Sequence, residues 1–305
     1  MIATRNILTF DVEDWPQSTL DHELPITDRV RDNTLRLLDL LDPAGARGTF
    51  FVLGLVAEKF PELVREIDKR GHEVASHGFS HRPVYGMKPE RFRDDLRSSL
   101  AAIEGATGGR VLGYRAPDFS IPSSTLWAME ILAEEGLRYD SSIFPIAGPR
   151  YGIREGFTAP CLVRCRDGAS LIEFPMTTTE YLGFRLPAAG GGYFRVWPYA
   201  HTRLAIARLN RRGHPATSYF HPYETDPAEF RESQHAIPLA LRLSQGVGRA
   251  GMPRRLRRLL SDFAWGPARD RLGDGTALTA DRVLDLTALP EGEPRWLAST
   301  AIPVH

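Results

Sequence analysis

His77 and His81 stand four residues apart in HGFSH, directly after the apolar run EVAS at 73–76. Four-residue spacing on a helical turn places two imidazoles on one side of the backbone. Two such nitrogen ligands plus a carboxylate suit a catalytic divalent ion of the zinc type, with a coordination position left open. FDVED at 10–14 closes another hydrophobic run and offers Asp11, Glu13 and Asp14. Strand alternation puts Asp11 and Glu13 on one face, whereas a chain that has already turned would present Asp14. Both Glu13 and Asp14 therefore stand as the carboxylate ligand beside His77 and His81. Each of these residues also has an ordinary structural use, as a packed histidine, a cap or a rim ion pair. No G-x-S-x-G elbow occurs, so a serine nucleophile is not expected.

Residues at strand ends need a scaffold that gathers them. Residues 6–11 read as a strand and 28–41 as a helix, with Val30, Leu37, Leu38 and Leu41 on one face and Asp28 as N-cap. A strand at 48–54 follows, then a helix at 56–71 stopped by Gly71, and a strand at 73–77. A helix at 87–108, a strand ending at Pro117 and a helix at 123–136 continue the alternation. Strands are expected around 160–187, a glycine-dense loop at 189–198, a helix at 197–213 and a last strand ending in His221. Alternation of this kind implies a parallel sheet with right-handed crossovers. Asp11, His77, Arg115 and His221 all fall at strand ends, and no phosphate-cradling glycine motif follows the first strand, so an α/β barrel is favoured over a doubly wound sheet.

Lys plus Arg and Asp plus Glu each total 38 in 305 residues, which gives no general pull towards nucleic acid. RAGMPRRLRR at 249–258 concentrates five arginines and reads as a solvated helix face, with an anionic-ligand or membrane patch as the alternative. Cys161 and Cys165, four apart in a strand, would lie roughly 13 Å apart, too far for a disulfide. They read as free packed thiols of a reducing compartment. No leader-like stretch or span of about eighteen apolar residues is seen, so a cytoplasmic protein with no membrane span is expected. Residues 225–305 are Arg-rich, then poorly patterned, with prolines at 253, 267, 290, 294 and 303.

In order, FDVED, HGFSH, GYRAP, YDSSIFP and YFHPYE resemble the motifs of the NodB-homology polysaccharide deacetylases, carbohydrate esterase family 4. The wording FDVEDW, GYRAPDFS, LRYDSSIFP, GGGYFR and HPYE resembles the subgroup tied to bacterial exopolysaccharide and exosortase gene clusters. The resemblance implies a distorted, incomplete β/α barrel over 1–225 and a C-terminal extension over 226–305. It implies a divalent cofactor, zinc first, with Co, Ni, Mn or Fe as alternatives. Asp11 would be the general base, Arg115 would hold it, His221 would be the general acid, and Asp140 would orient His221. The family usually carries adjacent aspartates where Asp11 and Asp14 here are separated by two residues. Tyr193, Pro117 and Tyr114 would touch the substrate, with Trp15, Phe119, Phe144 and Phe194 as further aromatics near the groove. Histidines 22, 72, 201, 214, 235 and 305 match no motif and read as structural or exposed. The implied reaction is N-deacetylation of an amino sugar in a polysaccharide or lipid-linked glycan, with a homodimer as one possible assembly. The alternatives are a C–N hydrolase acting on an imide, ureide or formamide, and a silent glycan-binding protein.

Overall fold

Seven strands of this computed structural model run parallel. They are β1 (Asn6–Val12), β2 (Thr49–Val52), β3 (Glu73–Ser76), β4 (Gly113–Tyr114), β5 (Tyr139–Asp140), β7 (Ser170–Glu173) and β10 (Thr217–Phe220). Their order is β10-β1-β2-β3-β4-β5-β7, continued by β6 (Cys161–Arg164), which is antiparallel to β7. The structure describes residues 4–146, 148, 152–273, 282–287 and 295–298; Pro290, Pro294, Pro303 and His305 lie outside them. Beyond residue 225, β11 (Trp265–Gly266) pairs with β1, β12 (Arg282–Asp285) pairs with β6, and β13 (Arg295–Ala298) pairs with β12. Among the described residues no ladder joins β13 to β10, so the barrel is incomplete, as expected. A separate hairpin is formed by β8 (Thr178–Tyr181) and β9 (Phe184–Pro187).

The parallel strands are short and buried on both faces, which is why NILTFDV and TFFV show little polar alternation. One side chain in two faces the helices: Leu8, Phe10, Val12, Phe50 and Val52 join Val64, Ile67, Leu96 and Leu132 in the main core. The alternate residues face inward, where Ile7, Phe51, Ala75, Tyr139 and Phe174 form a second cluster. Asp11 continues that inner row at the C-terminal end of β1.

The helices are α1 (Asp28–Leu41), α2 (Gly54–Lys59), α3 (Pro61–Lys69), α4 (Pro89–Thr107), α5 (Trp127–Glu134), α6 (Gly191–Val196), α7 (Tyr199–Arg211), α8 (Glu229–Glu232), α9 (Leu239–Gly246) and α10 (Met252–Asp262). Three expectations are corrected here. The cap of α1 is Thr27, whose hydroxyl accepts from Arg29 N at 3.3 Å, while Asp28 is already helical. The stretch read as one helix over 56–71 is two, because Pro61 has no N–H to donate and starts a new helix after Phe60. The glycine-dense segment coils into α6 rather than remaining a loop. Both cysteines are buried and unbridged. Among the described residues no helix is long and apolar enough to cross a membrane.

Candidate metal centre

Asp11 and Glu13 leave β1 on the inner side, two residues apart, and both are buried. Asp14 points elsewhere. Its carboxylate accepts from Thr27 Oγ1 at 2.7 Å and Thr27 N at 2.9 Å, tying the end of β1 to the start of α1. Of the two carboxylates left open by the sequence, the structure brings Glu13 to the histidines.

His77 and His81 meet on a loop, not on a helix, which corrects the reading of their spacing. The loop leaves β3 at Ser76 and turns at Gly78, where φ is +76° and a Cβ would press on Asp95 Oδ2 at 3.2 Å. Its backbone is held by neighbours instead of by helical bonds. Phe79 N donates to Asp95 Oδ2 at 2.8 Å, Gly54 N to Gly78 O at 2.9 Å, and Gln17 Nε2 to Ser80 O at 3.0 Å. His81 sits at φ +61°, a strained setting that these clamps maintain.

The three side chains converge on one point. Glu13 Oε2 lies 2.5 Å from His81 Nε2 and 3.4 Å from His77 Nε2. Among the described residues Glu13, His77 and His81 are the group whose ligand atoms all fall within 4.8 Å of one another. The donor chemistry fits a divalent ion. His77 Nδ1 lies 2.9 Å from the carbonyl of Arg115, which only accepts, so Nδ1 carries the proton and Nε2 offers its lone pair. Glu13 Oε1 accepts from Tyr223 Oη at 3.2 Å and Ser18 Oγ at 3.3 Å, leaving Oε2 for the histidines. Burial opposes charge on Glu13, but the neighbouring His81 and His77 imidazoles outweigh it and hold the carboxyl well below its usual range.

Two further groups flank this trio. Asp11 Oδ1 accepts from Arg115 Nη1 at 2.7 Å; Arg115 is fully buried, stacks over Phe51 at 4.2 Å and also binds Thr9 and Ser141. His221 Nε2 lies 3.9 Å from Asp11 Oδ2 and 3.7 Å from Glu13 Oε1. Burial opposes protonation of His221, but Glu224, Glu13 and Asp11 outweigh it and push its pKa up to about 9.

Asp140 does not orient His221. Its carboxylate accepts from Ser142 N at 2.8 Å and Ser142 Oγ at 2.6 Å, beside the buried Glu173, whose carboxyl is raised first by burial and then by Asp140. Glu224 is the carboxylate on His221, at 3.4 Å from Nδ1 and 3.0 Å from the backbone N. Burial works against its charge, yet the bond to His221 and the Arg195 guanidinium at 2.7 Å bring its pKa to about 2. The sequence carried the signal: HPYE has Glu three residues after His, the spacing at which a carboxylate folds back onto the first backbone N–H of a turn.

Asp11, Glu13, His77, His81 and His221 line a cavity of about 260 Å³ with Phe119, Tyr219 and Tyr223 as its aromatics. Tyr223 stacks on His221 at 4.8 Å. The expected substrate contacts fare differently. Tyr114 is buried against Phe92, Pro117 packs behind Gly78, and Tyr193 is half-buried on α6; none of them lines the cavity. Trp15, Phe144 and Phe194 are likewise buried away from its lining. His22, read as structural or exposed, lines it, with its ring 5.7 Å from that of His81. Asp118 also lines it, from two consecutive left-handed residues, Asp118 and Phe119, at φ +54° and +51°.

A buried Glu-His-His trio that could hold a metal ion thus stands at the C-terminal rim of an incomplete β/α barrel. Residues 5–138 match the family model described as Polysaccharide deacetylase, and residues 141–272 match one described as a domain of unknown function, DUF3473. A peptidoglycan deacetylase of Helicobacter pylori is 31% identical over 147 residues, covering 48% of this chain and 46% of that protein. A peptidoglycan deacetylase-like protein of Gibberella zeae is 32% identical over 124 residues, 40% of this chain and 36% of that protein. The chain thus spans less than half the length of either relative. A Mycobacterium smegmatis structure assigned to the polysaccharide deacetylases shares the fold at TM-score 0.60 and 22% identity, over 92% of this chain and 94% of that one. The likeness to polysaccharide deacetylases thus lies in residues 5–138 and in part of each relative's length.

Proposed function

We propose that the protein is a metal-dependent N-deacetylase of amino sugars in a bacterial glycan, an exopolysaccharide or a lipid-linked precursor of one. The observation that carries this reading is the meeting of Glu13, His77 and His81 beside an arginine-held Asp11 and a carboxylate-held His221. Glu13, His77 and His81 would hold the ion, zinc first. A divalent ion there supplies a nucleophile at neutral pH by lowering the pKa of water to about 7, and accepts charge from the amide carbonyl. Asp11 takes the proton of the attacking water through Oδ2, since Arg115 occupies Oδ1. His221 delivers a proton to the departing nitrogen, with Glu224 fixing its ring from the Nδ1 side. Water adds to the acetyl carbon, the C–N bond breaks, and acetate and a free amino sugar leave. Tyr219, Tyr223 and Phe119 provide faces for a sugar ring.

The test is acetate release from N-acetylglucosamine oligomers by protein loaded with zinc, set beside a panel of small ureides, imides and formamides. Acetate release that stops on chelation and returns with zinc supports the assignment. Turnover confined to the small ureides, or glycan binding without hydrolysis, overturns it.

A further inference from the structure

The β8–β9 hairpin and α7 line one cavity and α7 packs on α10, all apart from the metal cavity, and the composition of the three is lopsided. Over residues 178–187, 199–212 and 252–262 the chain carries nine arginines and two carboxylates, Glu180 and Asp262, in a protein of zero net charge. Asp262 is already engaged by Tyr199 Oη at 2.7 Å. Arg203, Arg211, Arg212, Arg254 and Arg257 are exposed, and among the described residues none makes an ion pair or side-chain hydrogen bond. Meanwhile α10 buries Met252, Leu256 and Leu259, so its arginine side is the outward one.

The hairpin supplies the second observation. Its two turn residues, Leu182 and Gly183, both have positive φ, +50° and +80°. Such a turn favours asparagine before glycine, and leucine there is strained. That leucine is 99% exposed, and Phe184 beside it is 70% exposed. A strained, fully exposed leucine is explained by an apolar surrounding that the free protein does not provide. Between hairpin and α7 lies a cavity of about 440 Å³ whose polar lining includes Thr158, Thr178, Arg185, Arg208 and Arg212, with Glu180 as its one carboxylate. Arginine and threonine donors of this kind suit a phosphate oxygen cluster.

We propose that this face docks on an anionic lipid surface, with Leu182 and Phe184 entering the acyl boundary and the arginines of α7 and α10 meeting headgroup phosphates. Unpaired arginines together with an exposed aliphatic tip match a bilayer interface; a nucleic acid would leave the tip in water. The proposal does not depend on the reaction assigned above, because vesicle binding is read without turnover.

The experiment is co-sedimentation of the full chain with phosphatidylcholine vesicles, with and without phosphatidylglycerol, at low and high salt. Partition only to the anionic vesicles, weakened by salt, is expected. The combined change Arg203→Glu, Arg211→Glu and Arg257→Glu lowers it by at least about tenfold. Leu182→Asn relieves the turn, so the protein keeps or gains thermal stability while partition falls by about tenfold, the worth of burying one leucine. Turnover of a soluble oligosaccharide is unchanged in both variants. Equal binding to neutral vesicles, unaltered partition of either variant, or binding to RNA or inorganic pyrophosphate without vesicle partition overturns the proposal.

Discussion

Strand β3 has a buried histidine at its entry and two buried histidines past its exit, and the entry histidine and His81 have opposite electrostatics. At the entry, His72 Nδ1 accepts from Gly48 N at 3.2 Å and the ring meets Phe50 edge-on at 4.8 Å. Burial, helped by Arg47, pushes its pKa down to about 4. Beyond the exit, His77 and His81 face Glu13, and its charge raises the pKa of His81 against an equally severe burial. Burial alone thus gives a neutral packing residue. A converging carboxylate turns the same side chain into a candidate ligand, and in a parallel barrel the strand ends that gather such groups are the C-terminal ones.

The strongest way to break this contrast is to remove the exit pair. His77→Ala with His81→Ala should reduce bound cation to background by elemental analysis. Turnover should fall by more than the roughly 10–100-fold typical of losing a ligand's hydrogen-bond partner. Retained cation and activity would end the account. Next in size, His221→Ala should lower kcat by about 10²–10⁴-fold, with cation content unchanged. Glu224→Gln should lower kcat by about tenfold or more at unchanged KM, whereas Asp140→Asn should appear mainly as lost thermal stability. If Asp140→Asn gives the kcat defect and Glu224→Gln does not, the orienting role returns to Asp140.

Two smaller effects sharpen the same comparison. Asp14→Asn should cost about 1 kcal/mol in denaturant unfolding and leave cation content intact, while Glu13→Gln should lose the cation. His72 is held neutral in the fold, so its contribution to stability is complete above an unfolded pKa near 6.5 and is lost as pH falls towards 4. The wild type should therefore lose stability across that window with a slope approaching about 1.4 kcal/mol per pH unit from this group. His72→Asn keeps an acceptor for Gly48 N and should flatten that part of the curve; equal slopes in the two proteins would reject the assignment.

Much of the scaffold was readable because parallel strands buried on both faces leave unbroken apolar runs, and Leu37, Leu38 and Leu41 fix the face of α1. The break at Pro61 was missed because the apolar spacing continues across it. The site was readable as residue types: Asp11, His77, His81, Arg115 and His221 all reach one cavity or its wall. Its partners were less so. Asp140 and Glu224 are both acids near a strand end, and only the pairing of β5 with β7 turns Asp140 towards Glu173 and away from His221. Tyr223 and Ser18 gave no signal, since their roles exist only through contact with Glu13. His22 gave none either, because its place in the cavity depends on the fold of the 77–81 loop.

The order of strands and helices and the chemistry available at their ends were determined by the chain itself, through local periodicity and residue type. Which carboxylate faces the imidazoles, which acid holds His221, and which tyrosines reach the cavity were decided by tertiary packing. The reason is physical. A side chain's direction past the end of a strand is set by the hydrogen bonds its backbone finds there, and for Glu13, Asp14 and the 77–81 loop those partners come from distant segments, Tyr223, Thr27, Asp95 and Gly54 among them.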